Sequence, residues 1–225
     1  MRSNPFPAEE LFRQSLEDQL PRGYQKFREA ADQFQKSSIS LGPLEAGILR
    51  MFVRMQSRPR WVEVGTLTGF SALCIATVLP EDGHLWSLEK NPDIAKRAQD
   101  LLAEAGLSSK VTVVVGDAST TLEGLRKWGP FDGIFIDGNK AGYLGYLDWA
   151  ERNLAPEGLI IGDNVFLGGD LFEEQSSDSK WSPATLNKMK EFVARLLNSS
   201  RYDSTLLPTP EGMIVARLKS TEGVR

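Results

Sequence analysis

A chain of 225 residues with 41% hydrophobic and 25% charged residues can bury one sizeable core and has ordinary globular composition. Its net charge of −4 excludes the broad basic face that grips nucleic acid. The single cysteine, Cys74, excludes an intrachain disulfide. The first residues hold no apolar signal core and no run approaches membrane-spanning length, so a cytoplasmic protein with no membrane partner is expected.

Residues 8–36 place Leu16, Leu20, Tyr24, Phe27, Ala31 and Phe34 at helical spacing, with charges opposite. A second helix begins near Pro43, with Leu44, Ile48, Leu49 and Phe52 on one side. These helices are read as an N-terminal appendage, residues 1–58, on a core of residues 59–219, all within one domain. From residue 61 the pattern alternates. Strands are expected at 61–65, 84–89, 111–116, 131–137, 158–163, 202–208 and 212–218, and helices at 69–79, 92–105, 118–128 and 141–153. Short apolar strands alternating with amphipathic helices predict an α/β fold, a mostly parallel sheet covered on both faces. The short turn before Gly212 permits only a hairpin, which puts an antiparallel member at the end of the sheet. Residues 166–182 read as a long acidic loop.

Cys74 lies in the apolar run "SALCIATVL" and is expected to be a buried, inert thiol. His84, the only histidine, opens a strand, at the end of the sheet away from ligands. Without a second histidine or a G-x-S-x-G elbow, a Ser-His-Asp hydrolase is excluded.

Ligands of open α/β sheets sit beyond the C-terminal strand ends. The first strand delivers Glu63, Gly65, Gly69 and Ser71 there, the second Glu89, and the third Gly116, Asp117 and Ala118. The fourth delivers Asp137, Asn139 and Lys140, and the fifth Asp163 and Asn164. Gly65 and Gly69 bracket a turn where a ligand can approach bare backbone. Leu67 stands where the dinucleotide motif needs its second glycine, which argues against a nicotinamide-dependent oxidoreductase. Glu89, 24 residues after Gly65, is placed to accept hydrogen bonds from both ribose hydroxyls of a nucleoside. No phosphate-binding lysine motif accompanies it, so a nucleoside without polyphosphate is favoured, and S-adenosylmethionine fits.

Asp137, Asp163 and Asn164 are hard oxygen donors on neighbouring strand ends. Two unpaired carboxylates at close range repel until one takes up a proton, and a divalent cation removes that conflict. A set without Cys or His favours Mg²⁺, Ca²⁺ or Mn²⁺ over zinc. Lys140 opens a helix, where its charge opposes the dipole. Beside a cation its ammonium form is disfavoured, which suits a general base.

The stretches "WVEVGTLTGFSALCIATVLPEDG", "LEKNPDIAKRAQ", "AGLSSKVTVVVGDA", "FDGIFIDGNKAGYLGYLDWA" and "LAPEGLIIGDNV" resemble the cation-dependent O-methyltransferases, which include catechol and caffeoyl-CoA O-methyltransferases and bacterial relatives. The resemblance implies a Rossmann-like, seven-stranded methyltransferase sheet and S-adenosylmethionine as donor. Leu41, Glu63, Gly65, Ser71, Glu89, Asp117, Ala118 and Asp137 would line the donor site. Asp137, Asp163 and Asn164 would hold Mg²⁺ or a similar ion, with Lys140 and Asp137 at the reaction centre. The implied acceptor is a small aromatic molecule with neighbouring hydroxyls, and the implied assembly a homodimer. Many relatives carry a second acid where this chain has Asn139. The apolar residues Phe166, Leu167, Phe172 and Trp181 are candidates for a cover over the site. A tRNA-modifying enzyme of the same fold and a non-catalytic nucleoside-binding protein are the competing readings.

Overall fold

The computed structural model describes residues 15–36, 40–56, 59–172, 179–198 and 200–220; the part of the expected first helix before residue 15 lies outside them. Among the described residues, residues 15–17 are helical and a turn separates them from α1 (Tyr24–Gln33), so the helical spacing read over 8–36 is not one continuous helix; α2 (Pro43–Gln56) follows before the sheet. The alternation then runs β1 (Arg60–Val64), α3 (Phe70–Ala76), β2 (His84–Glu89), α4 (Pro92–Glu104), β3 (Val111–Val115), α5 (Ala118–Leu125) and β4 (Phe131–Ile136). It continues with α6 (Tyr143–Asn153), β5 (Leu154–Gly162), α7 (Pro183–Leu196), β6 (Tyr202–Leu207) and β7 (Met213–Leu218). Short 3-10 turns span Arg126–Trp128, Lys140–Gly142 and Leu167–Gly169. Strand ends fall close to expectation, except that β5 starts at Leu154, before a bulge in its pairing with β4.

The seven strands lie in the order β3-β2-β1-β4-β5-β7-β6. All pairings from β3 through β5 are parallel, and β7 runs antiparallel to both β5 and β6. The reversed strand is therefore inside the sheet, not at its end. Helix α7 carries the chain over to the far edge, where β6 runs with the others; the hairpin then turns β7 back into the gap beside β5. Helix α7 is not among the helices expected from sequence. Its signals are local: Ser182 accepts a hydrogen bond from the Thr185 N–H at 3.2 Å, Pro183 takes the first turn, and Leu186, Met189, Phe192, Val193 and Leu196 share a buried stripe.

Side chains alternate along each strand and so divide the core. Val62, Val64, Leu88, Ile134, Ile136 and Ile160 pack under α5, α6 and α7. Trp61, Leu85, Phe135, Leu159 and Ile161 pack under α1 to α4. Each fully buried large side chain contributes about 1.5–3 kcal/mol relative to exposure. Cys74 is buried on the second face, where desolvation pushes its thiol up to about 12, so the inert reading holds. His84 hydrogen-bonds Thr112 at 2.8 Å at the far end of the sheet. Among the described residues no helix is long and apolar enough to cross a membrane.

One glycine sets the spacing of the strand ends. Gly65 has φ +101°, and a Cβ there would sit 2.3 Å from the carbonyl oxygen of Asp137. Its bareness lets the exit of β4 close onto the exit of β1, with the Asp137 N–H donating to the Val64 carbonyl at 2.9 Å.

Gly65→Ala should therefore lower the unfolding free energy by about 2–4 kcal/mol in urea denaturation, through clash and left-handed strain together. Gly145→Ala, at an exposed position of α6 where a Cβ meets nothing within 4 Å, should instead raise it by about 1 kcal/mol.

Candidate active site

A cavity of about 910 Å³ opens beyond the C-terminal ends of β1 to β5. Leu41, Gly65, Ser71, Glu89, Asp117, Ala118, Asp137, Lys140 and Asn164 all line it. A smaller cavity of about 190 Å³ adjoins it and is lined by Glu45, Asp163 and Glu211, with Ser40, Leu41 and Asn164 also on its wall.

In one half of the large cavity the fixed feature is Glu89. Its Oε2 accepts the Leu67 N–H and its Oε1 the Asn91 N–H, each at 2.9 Å. Both oxygens are thus held in place with lone pairs to spare for a ligand. Asp117 is committed locally. Hydrogen bonds from Ser119, at 2.6 Å from its hydroxyl and 3.0 Å from its N–H, hold the Asp117 carboxyl down at about 2, helped by Lys90 at 3.1 Å.

Glu63 departs from expectation. It does not line the cavity, because strand alternation turns it to the face of Trp61, behind the glycine turn. It is fully buried, level with Ser87 on β2, whose hydroxyl donates to Glu63 Oε2. Thr66 extends this network, 2.5 Å from the Ser87 hydroxyl. Glu63 Oε1 is buried without a protein partner. Burial pushes this carboxyl up to about 8; Ser71 and Ser87 offset part of the effect, and the charge of Asp137 adds to it. A carboxyl raised this far favours its protonated form near neutral pH.

At the other half, Lys140 draws the strand ends together. Its ammonium lies 3.3 Å from Asp137 Oδ1, 3.4 Å from Asn164 Oδ1, 3.1 Å from the Asp163 carbonyl and 2.5 Å from the Tyr143 hydroxyl. The residue is only 9% exposed, so this lysine has structural partners that the sequence did not suggest. Asp163 donates its N–H to the Ile136 carbonyl at 3.0 Å, which sets it level with Asp137. Its side chain faces the smaller cavity, not the larger. Burial pushes Asp163 up to about 7, and the charge of Asp137 adds to this. Burial also raises Asp137, with Lys140 pulling the other way. Asn164 adopts the left-handed φ of 53°, which asparagine tolerates. Asn139 spends its side-chain oxygen on the Ala141 N–H at 3.3 Å, capping the turn before α6.

The donor chemistry of Asp137, Asp163 and Asn164 fits a hard cation. Asp163 Oδ1 is buried and unpartnered, and burial raises both carboxyls. Among the described residues no three His, Cys, Asp or Glu are grouped as a cation site. Asp137, Asp163 and Asn164 instead supply two acids and an amide, and Lys140 already bonds two of these three side chains. The sequence did not point to Tyr143, Glu45 or Ser87. Tyr143, three residues after Lys140 at the first position of α6, reads in sequence as an ordinary core aromatic. Of the candidate cover, Leu167 and Trp181 line the large cavity. Phe172 is 67% exposed and packs edge-on against Phe166, centroids 4.9 Å apart.

The strand order, with a ligand cavity at the strand ends, defines a class I methyltransferase. The chain matches the O-methyltransferase family over residues 15–219, and it belongs to that family. It is 36% identical over 172 residues to the catechol O-methyltransferase of Niastella koreensis, covering 76% of each protein. It superposes with a TM-score of 0.85 on the O-methyltransferase TomG from Streptomyces achromogenes, solved in complex with S-adenosylmethionine, at 26% identity and covering 98% of this chain and 100% of that one. The O-methyltransferase from Bacillus cereus, solved with S-adenosylhomocysteine, gives a TM-score of 0.82 at 26% identity, covering 93% and 97%.

The buried acid Glu63 generates a pH prediction. Its folded value of about 8 lies above the ordinary 4.5, so the folded chain holds a proton that the unfolded chain releases in between. Stability should be unaffected by this group below pH about 4.5 and should fall by about 1.4 kcal/mol per pH unit as pH rises toward 8. Urea denaturation across that window should show Glu63→Gln losing less stability with rising pH than the wild type. Parallel curves would mean that Glu63 ionises normally.

Proposed function

We propose that the protein transfers a methyl group from S-adenosylmethionine to one hydroxyl of a small aromatic molecule bearing two neighbouring hydroxyls. A divalent cation held by Asp137, Asp163 and Asn164 would assist. The observation that carries this reading is the single cavity that joins the anchored Glu89 carboxylate to the Lys140 cluster. Glu89 supports a nucleoside ligand, since it presents a rigid acceptor to a ribose diol at the second strand end. The bare backbone at Gly65 suits the remainder of the donor. The related TomG and Bacillus cereus structures, bound to the donor and its demethylated product, support the same assignment. The catechol O-methyltransferase relative supports the acceptor class.

A divalent cation bound to those three residues would lower the pKa of a hydroxyl placed beside it. To hold the ion, Asp137 and Asn164 must each give up a bond to Lys140. Lys140 supplies the lone pair of its side-chain nitrogen. The amine takes the proton as the acceptor O–H bond breaks. The resulting oxygen lone pair forms the new bond to the methyl carbon, and the S–CH₃ pair returns to sulfur, leaving S-adenosylhomocysteine. An anion and a sulfonium cation become two neutral groups, so charge disappears at the transition state and a dry site favours reaction. Leu167 and Trp181 line the cavity. Holding both reactants in line can supply about 7–11 kcal/mol of the barrier reduction.

Excess EDTA should abolish methylation of 3,4-dihydroxybenzoate, and Mg²⁺ should restore it; full turnover in EDTA contradicts the cation's role. Lys140→Ala should lower kcat by about 10²- to 10⁴-fold while calorimetry shows S-adenosylmethionine affinity nearly unchanged. An unchanged kcat would remove Lys140 from the chemistry.

A further inference from the structure

The ammonium of Lys140 has three N–H donors but four oxygen acceptors within reach, and the four are not equivalent. Asp137 and Asn164 line the large cavity, where any ligand competes for their oxygens. Tyr143 is 0% exposed and lines neither cavity, and Asp163 contributes a backbone oxygen. Neither of these last two acceptors belongs to a residue that lines the large cavity. The Tyr143 hydroxyl also lies 2.8 Å from the Asp163 carbonyl and 3.2 Å from the Ile136 carbonyl. Its one proton goes to a carbonyl, which leaves a lone pair for Lys140 at 2.5 Å. The ring cannot swing away. Phe192 packs edge-on at 5.1 Å, and the Lys140 nitrogen stands 4.6 Å from the ring centroid.

We propose that Tyr143 is a positioning residue for methyl transfer: its hydroxyl, anchored on the ends of β4 and β5, holds the Lys140 amine at the cavity wall when Asp137 and Asn164 turn to a ligand. The proposal rests on the reading of Lys140 as the base. It accounts for the lone pair that this buried hydroxyl keeps toward Lys140 once its proton is given to a carbonyl.

Tyr143→Phe keeps the ring and removes one oxygen. Single-turnover methyl transfer is measured with labelled S-adenosylmethionine, Mg²⁺ and 3,4-dihydroxybenzoate for wild type, Y143F, K140A and the double variant. Y143F alone should slow transfer by about tenfold, with KM for donor and acceptor within about twofold of wild type, and should cost nothing further in the K140A background. An equal loss in both backgrounds marks a merely structural role and overturns the proposal. A wild-type rate in Y143F overturns it too, while leaving Lys140 as the base. A wild-type rate in K140A removes the base and the proposal together. The same four proteins in urea give a readout that needs no turnover: the two substitutions should be non-additive by about tenfold in the unfolding constant, and strict additivity would deny the contact.

Discussion

The structure turns on one buried ammonium among the oxygens of two strand ends. A lysine at 9% exposure is costly unless its donors are met, and Lys140 meets them with Asp137, Asn164, the Asp163 carbonyl and Tyr143. That gathering is a consequence of sheet geometry. Ile136 and Gly162 are register partners, so the next residue on each strand emerges at the same height. Gly65 removes the Cβ that would hold β1 away from Asp137. Three parallel strands thereby end within one small volume, and the chemistry follows from what each delivers.

The two halves of the cavity differ in how they are made rigid. Around Glu89 the backbone does the work, with two N–H groups fixing one carboxylate. Around Lys140 the side chains do it, through charge and through a buried phenol. Glu63 belongs to neither wall. It is a buried acid behind the glycine turn, tied to Ser87 across β1 and β2. Asp137 and Asp163 stand together beside Lys140, with Asp163 Oδ1 buried and without a hydrogen-bond partner.

Much of this was legible in the chain. Strand ends at Glu89, Asp137 and Asn164 could be named because apolar runs stop there and polar residues follow, and ligands gather at such ends. What escaped were relations set by three dimensions. Helix α7 follows an acidic stretch whose residues 173–178 lie outside the described ones, and its own signals, the cap at Ser182 and the stripe from Leu186 to Leu196, are short and local. The reversed strand β7 was placed at the edge because a hairpin does not reveal which of its arms pairs inward. Glu63 was assigned to the cavity by its place in the motif, although the strand's alternation, anchored by Trp61, turns it to the other face. Tyr143 looked like core because it is core; its hydroxyl gains meaning only when Lys140 folds back upon it.

The measurement that tests this account most directly is diffraction from crystals grown with Mn²⁺ and S-adenosylhomocysteine, using the manganese anomalous signal. The account places the anomalous peak among Asp137, Asp163 and Asn164, with Lys140 withdrawn from Asp137 and Asn164 and still bonded to Tyr143. No peak at that position, with the ammonium still bridging Asp137 and Asn164 at saturating metal, would contradict it.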